Sequence, residues 1–427
     1  MKKTILLASL IAVASMAAGT TGNVEFFNEN KLETTPIKFT AEKLGVKTEV
    51  KVKDSGLSFG GEFKVKDLGV PLATAVHENL VNNSSIFVKY ELPEIKTVNS
   101  YVKATVKPNT DNKKFALELE ADANTKFNNL KIGVNTKTDL KVGELKDTTS
   151  THKLYVEGEY APVKDIKAEV AVNHTYADAK VNYVSTKFEG AYKEVKDLEL
   201  KGSINAKVQI NGSKLSYKSI MREDDADAET KVDIDPKVDG NRYVHSYEFD
   251  AKYTGVKDLE LNGKLFVQHL HNPGKTPKQD NAISYGTILG VKYTGVKNLT
   301  LSGKGVFAGY TDMKDQTVHT DSTHQAYIKL NAGAKYDYKV TDKFTVSPEF
   351  NATAVLDNLK GTAANGVVKG KTIDLVLEPK VSVEYKPTES LEIKGNVAVP
   401  VKFSIKAASF NYETTTLKTS LNVKYTW

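Results

Sequence analysis

YTGVKDLELNGK at residues 253–264 and YTGVKNLTLSGK at 293–304 are two near-copies of one unit. In each, a Tyr is followed six residues later by Leu, with a short polar segment between them: Tyr253–Leu259 and Tyr293–Leu299. Looser copies are Tyr160–Ile166, Tyr192–Leu198, Tyr338–Phe344 and Tyr385–Leu391. On both sides of each copy, apolar and polar residues alternate with period two, the signature of a strand. The unit therefore predicts strand, tight turn, strand. Six is an even number, so the Tyr and its partner share a face, and the apolar face continues through the turn.

Working outward, the strands are long. In 198–210, Leu198, Leu200, Gly202, Ile204, Ala206, Val208 and Ile210 fall on one face. Glu199, Lys201, Ser203, Asn205, Lys207 and Gln209 fall on the other. Segment 391–403 repeats the pattern, with Leu391, Ile393, Gly395, Val397, Val399, Val401 and Phe403 against Glu392, Lys394, Asn396 and Lys402. Ordinary globular strands run about 5–6 residues, whereas a tilted strand crossing a bilayer needs about 9–11. Connections alternate too. Those after each repeated Tyr are short, and those at the other end, 211–241, 272–281, 312–324 and 357–371, are longer. That asymmetry predicts an all-β fold: a transmembrane antiparallel up-and-down β-barrel with short periplasmic turns and longer extracellular loops. Earlier runs such as 46–53, 57–65, 85–92 and 114–122 follow the same plan less cleanly. Counting hairpins predicts about 20–22 strands, within a range of about 16–22. Pro348, Pro379 and Pro400 lie inside these segments, and each predicts a bulge or a strand boundary where it sits.

Composition agrees with this class. There is no Cys among 427 residues, which excludes disulfides, thiolate metal sites and a lipid-modified N-terminal cysteine. Tyr (20) and Phe (16) far outnumber Trp (1), a β-leaning usage. A mean hydropathy of −0.38 looks soluble, but barrel strands give lipid only every second residue. Lys2 and Lys3 precede an apolar run from Ile5 to Ala18 and a small-residue zone, which predicts a signal peptide over 1–18 and a single barrel domain over 19–427. The balance of 59 basic and 53 acidic residues is too even to point to nucleic acid.

The last segment, LKTSLNVKYTW at 417–427, places Leu417, Thr419, Leu421, Val423, Tyr425 and Trp427 on one face and stops on an aromatic. It resembles the C-terminal strand of bacterial outer-membrane, porin-like β-barrels. The resemblance implies that Leu421, Val423, Tyr425 and Trp427 form the signal read by the barrel-insertion machinery. It further implies an outer-membrane location in a diderm bacterium, contact with outer-membrane lipid and lipopolysaccharide, and the homotrimer often found in that family. The function it implies is passive diffusion of small hydrophilic solutes.

The face opposite the apolar one holds the candidate pore-lining residues: Glu199, Lys201, Lys207, Glu260, Lys264, Lys304, Lys329, Glu392, Lys394, Lys402, Lys418 and Lys424. Charges of this kind cannot face lipid cheaply and must meet water or one another. An open hydrated pore and a lumen sealed by paired charges or by a loop both satisfy that demand. Tyr160, Tyr192, Tyr253, Tyr293, Tyr338 and Tyr385 form the expected periplasmic aromatic girdle, each ring in the interface and each hydroxyl toward water. The acidic stretch from Arg222 to Gly240 reads as a solvated loop, with a constriction loop or a calcium site as alternatives. His269 and His271 share a strand face near its outer end, but metal binding needs three or four converging ligands. No nucleophile constellation, phosphate-cradling loop or zincin motif is present, so neither catalysis nor a cofactor is expected. An adhesin using loops 211–241 and 312–324, and a secreted soluble β-rich adhesin, are the alternatives to a channel.

Overall fold

The computed structural model describes residues 20–34, 37–69, 84–95, 97–109, 114–141, 148–175, 181–210, 242–271, 281–313, 323–357, 372–406 and 409–427. The expected signal peptide and the 211–241 loop lie outside them. The described residues form strands and their connections. In chain order they are β1 (Thr20–Thr34), β2 (Ile37–Val52), β3 (Leu57–Gly69), β4 (Ser85–Ile95), β5 (Val98–Asn109), β6 (Lys114–Phe127), β7 (Leu130–Lys141) and β8 (Thr149–Tyr160). There follow β9 (Val163–Thr175), β10 (Val181–Tyr192), β11 (Leu198–Gln209), β12 (Arg242–Val256), β13 (Leu259–His271), β14 (Asn281–Tyr293) and β15 (Leu299–Met313). The last are β16 (Thr323–Tyr336), β17 (Tyr338–Thr341), β18 (Phe344–Asp357), β19 (Thr372–Thr388), β20 (Leu391–Ala398), β21 (Val401–Lys406) and β22 (Ser409–Thr426).

Each strand pairs antiparallel with its neighbours, and β22 returns to β1. Gly22 and Trp427 complete the seam, each N–H donating to the other's carbonyl at 3.1 Å. β17 continues β16 along β18, and β20 and β21 together fill one place between β19 and β22. The 22 segments therefore make a closed barrel of 20 staves. At about 4.8 Å between strands and about 40° of tilt, its mean radius is about 20 Å.

The repeated unit explains one end of the barrel. Asp197, Asp258 and Asn298 directly precede Leu198, Leu259 and Leu299 and adopt φ of 61°, 60° and 65°. Asp and Asn tolerate this left-handed conformation because their short side chains bond locally. Each turn is then tied to the next hairpin. Thr254 N–H donates to Asp197 O at 2.8 Å, Thr294 to Asp258 at 2.9 Å and Asp337 to Asn298 at 2.8 Å. Each donor directly follows an aromatic: Tyr253, Tyr293 or Tyr336. Those Tyr residues stand directly across from Leu198, Leu259 and Leu299 in the register.

The prolines act one stave away from where the sequence placed their effect. β18 and β19 keep unbroken register through Pro348 and Pro379. The interruption lies on the neighbour instead. Pro348 stands beside the β16–β17 break at Asp337, and Pro379 beside the β20–β21 break at Val399–Pro400. A proline lacks the N–H that would bond the adjacent strand, so that strand loses the pairing. At the second break Val399 N–H still donates to Pro379 O at 2.9 Å. Pro400 itself marks a boundary, as expected.

The wall has an apolar outer face, exposed along β13–β15. Leu261, Leu265 and Val267 on β13, Leu289 and Val291 on β14, and Leu301 and Phe307 on β15 are large, outward and exposed. The alternate positions, among them Glu260, Asn262, Lys264, Lys292, Ser302 and Lys304, point to the lumen.

Candidate functional site

The lumen wall is where the charge collects. By register, all twelve predicted pore-lining residues occupy inward positions. Lys201 pairs with Glu189, which also holds Lys187 at 3.0 Å. Glu199 meets Lys193 at 3.3 Å, and Glu260 meets Lys252 at 2.9 Å. Lys264 sits 2.8 Å from Glu248 and 3.6 Å from Asp250. Glu392 lies 2.9 Å from both Lys386 and Lys394. Lys402 joins Asp374 at 3.1 Å and Glu413 at 2.9 Å. Lys207 lies 4.1 Å from the Tyr183 ring centre, a cation–π contact. Lys424 stands opposite Glu25, and Lys418 opposite Lys31. Lys304 and Lys329 lie on neighbouring staves.

These pairs share a geometry. Every ion pair among the described residues joins positions on one stave or on adjacent staves; none reaches across the bore. A lysine or glutamate extends about 6 Å, far short of a mean radius of about 20 Å. Pairing among these residues therefore runs along the circumference of the wall. Lys193, in the turn after β10, donates to Asp165, and that contact, helped by Glu199, raises its pKa above the usual lysine value.

A second inward group was not singled out in the sequence. Glu118, Glu120 and Asp122 line β6. Glu118 binds Lys107 at 2.6 Å and Lys137 at 2.9 Å. Tyr101 Oη donates to Glu120 at 2.7 Å, and Tyr155 Oη donates to Asp122 at 3.0 Å. Lys89 lies 4.4 Å from the Tyr101 ring centre. The readable signal was KFALELEAD, whose even positions carry all three acids.

The lumen also changes character with height. On β15, Ser302 and Lys304 are exposed, while Val306, toward the long loops, is 2% exposed. Phe266, Ile288, Val306, Ala308 and Tyr327 form one buried cluster on the inward face of β13–β16. The inward wall is thus exposed toward the short turns and buried on this side toward the long loops. Apolar residues at both parities, as in LFV at 265–267 and VFA at 306–308, mark the cluster in the sequence.

The six predicted girdle tyrosines are all outward and exposed at the short-turn end. Tyr336 and Tyr425 belong with them: Leu299 faces Tyr336 and Leu391 faces Tyr425, the same relation that Leu259 has to Tyr293. Tyr338 lies two residues further along. Leu421, Val423 and Tyr425 share the outward face of β22, Trp427 follows directly after its end, and the Tyr425 and Trp427 rings stack at 6.1 Å.

Among the described residues no three His, Asp or Glu side chains gather as a metal site. No helix is long and apolar enough to cross a membrane, which says nothing of strands.

No family model and no curated protein matches the sequence. Solved structures similar in fold include Pseudomonas aeruginosa OccK3 (OpdO), with TM-score 0.44, 9% identity and 97% of each chain covered. Pseudomonas aeruginosa OccK7 (OpdD) gives TM-score 0.45 and 9% identity over 96% of this chain and 99% of that one. OmpT, an outer membrane protein of Vibrio cholerae, gives TM-score 0.34 and 11% identity over 96% and 98%. No residue role transfers at such identity.

Proposed function

We propose that the chain is an outer-membrane channel that passes small hydrophilic solutes by passive diffusion, without enzymatic activity. The observation that carries this reading is the direction of the ion pairs. They run along the wall, so the charges keep the lumen face wet without closing it. The outer face fits the lipid around it, with apolar staves in the middle and tyrosines at the short-turn rim. Export by the leader at 1–18, insertion through the strand ending at Trp427, contact with lipopolysaccharide and assembly into trimers belong to the same reading. Liposome swelling tests it. Vesicles carrying the protein should swell in small neutral sugars, at rates falling with sugar size. Vesicles that hold folded protein and exclude the smallest sugar would sink the diffusion function.

A further inference from the structure

The outer face has two unlike rims. The short-turn rim is lined with tyrosine. The long-loop rim carries histidine. All five histidines whose side chains are described, His152, His174, His245, His269 and His271, occupy outward positions by register. Each lies within a few residues of the long-loop end of its strand. In that half of the wall no Lys or Arg takes an outward position among the described residues. Lysines abound on the inward face, so among the described residues the cations this outward rim can offer are imidazoles.

The rings are grouped. His152 and His174 stack at 5.1 Å on β8 and β9. His245 faces His269 at 5.0 Å on β12 and β13, and Tyr243 stacks on His271 at 4.5 Å. The groups around them are mostly neutral. Thr136 on β7 bonds His152 Nδ1 at 3.1 Å. Val172 on β9 stands opposite His152, and Ser150 on β8 and Val181 on β10 opposite His174. Ala206 on β11 stands opposite His245, and Ile283 on β14 opposite His269. Among the described residues the titratable neighbours on this face are the other imidazoles and the phenols of Tyr243 and Tyr247. Two imidazoles this close repel when both are charged. An anion bridging them reverses that, and charge-assisted hydrogen bonds to phosphate oxygens suit their N–H donors.

We propose that the histidine rim is a docking surface for phosphate-bearing lipid head groups of the surrounding leaflet, engaged when the imidazoles are protonated. The position selects lipid over a soluble anion, because the rings face outward at the edge of the apolar band and away from the lumen. The inference rests on the membrane reading above, but not on conduction.

The test uses the full-length protein in vesicles of mixed phosphatidylcholine and phosphatidylglycerol, a phosphodiester whose charge is constant through the histidine range. The protein is extracted in mild detergent at about pH 5.5 and about pH 8.5, on either side of that range. The carried-over lipid is then quantified. The expected result is phosphatidylglycerol enrichment of roughly fivefold at the lower pH, the effect of about one cation on one anionic lipid, and near parity at the higher. Substituting His152→Gln with His174→Gln, and separately His245→Gln with His269→Gln, should each reduce the enrichment at low pH. Equal enrichment at both pH values in the unsubstituted protein would overturn the proposal, whatever the variants do. So would enrichment that excess inorganic phosphate abolishes at constant ionic strength, since that marks a free-anion site. Heat-modifiable gel migration, read first, separates these results from failure of the membrane reading itself, in which no barrel enters the vesicles.

Discussion

Leu289→Lys tests the outer face at an exposed position near the middle of its apolar band. Leu289 is 53% exposed and points outward from β14. Its cross-strand neighbours are Gly263 and Gly305, so no side chain beside it can shield or pair a new charge. It lies four residues from Tyr293. At about 3.3 Å per residue and about 40° of tilt, that is about 10 Å from the tyrosine rim. The apolar band is about 25 Å tall, so the site is close to its middle, where a lysine costs about 2–4 kcal/mol. Asn262→Lys is the matched control. Asn262 is inward and exposed, and it already donates to Glu260 at 3.0 Å, so a lysine there gains a partner in water. Its cost should stay within about 0.5 kcal/mol. Equilibrium denaturant unfolding from lipid vesicles reads both. Equal costs for the two variants would refute the assignment of faces. So would a Leu289→Lys protein as stable in lipid as the parent, because a charge in hydrocarbon cannot be free.

Two other substitutions probe separate parts of the account. Asp258→Ala puts a Cβ-constrained residue at φ 60° and should cost about 1 kcal/mol in the same assay, whereas Asp258→Gly should be near neutral. Phe266→Ala removes the ring at the centre of the inward apolar cluster and should cost about 3 kcal/mol, well above the cost of Leu265→Ala one residue away on the lipid face; equal costs would mean that the cluster is not packed.

The short-turn end was the most legible part of the chain, for a physical reason. A tight turn needs specific residues at fixed offsets, and Asp197, Asp258 and Asn298 sit where a left-handed residue is required. Strand parity then carried the inward and outward assignment from each turn up its staves, which is why the lysines and glutamates of β11, β13 and β20 landed on the lumen side. Legibility failed where alternation fails. Val306 and Phe307 are both apolar, one turned inward and one outward, so no pattern in that stretch separates wall from lumen. On β1 the outward face carries Asn28 and Asn30, the latter donating to Thr419 at 3.4 Å, and polar residues on an apolar face blur the period. The prolines misled in position because their missing donor acts on the neighbouring stave, and neighbours are a property of the closed sheet. Tyr336 was passed over because Tyr338 satisfied the six-residue spacing, while register makes Tyr336 the equivalent of Tyr253 and Tyr293. The acids on β6 were visible as letters, but their ties to Tyr101 on the next stave and to Tyr155 two staves away needed the fold.

Inward charges that pair along the wall leave an open bore in the proposed channel. Current through the purified protein in a planar bilayer tests it most directly. Discrete, ohmic, steady conductance steps are expected as single barrels insert. Barrels that are folded and inserted by heat-modifiable migration, yet leave the bilayer tightly sealed, would contradict it.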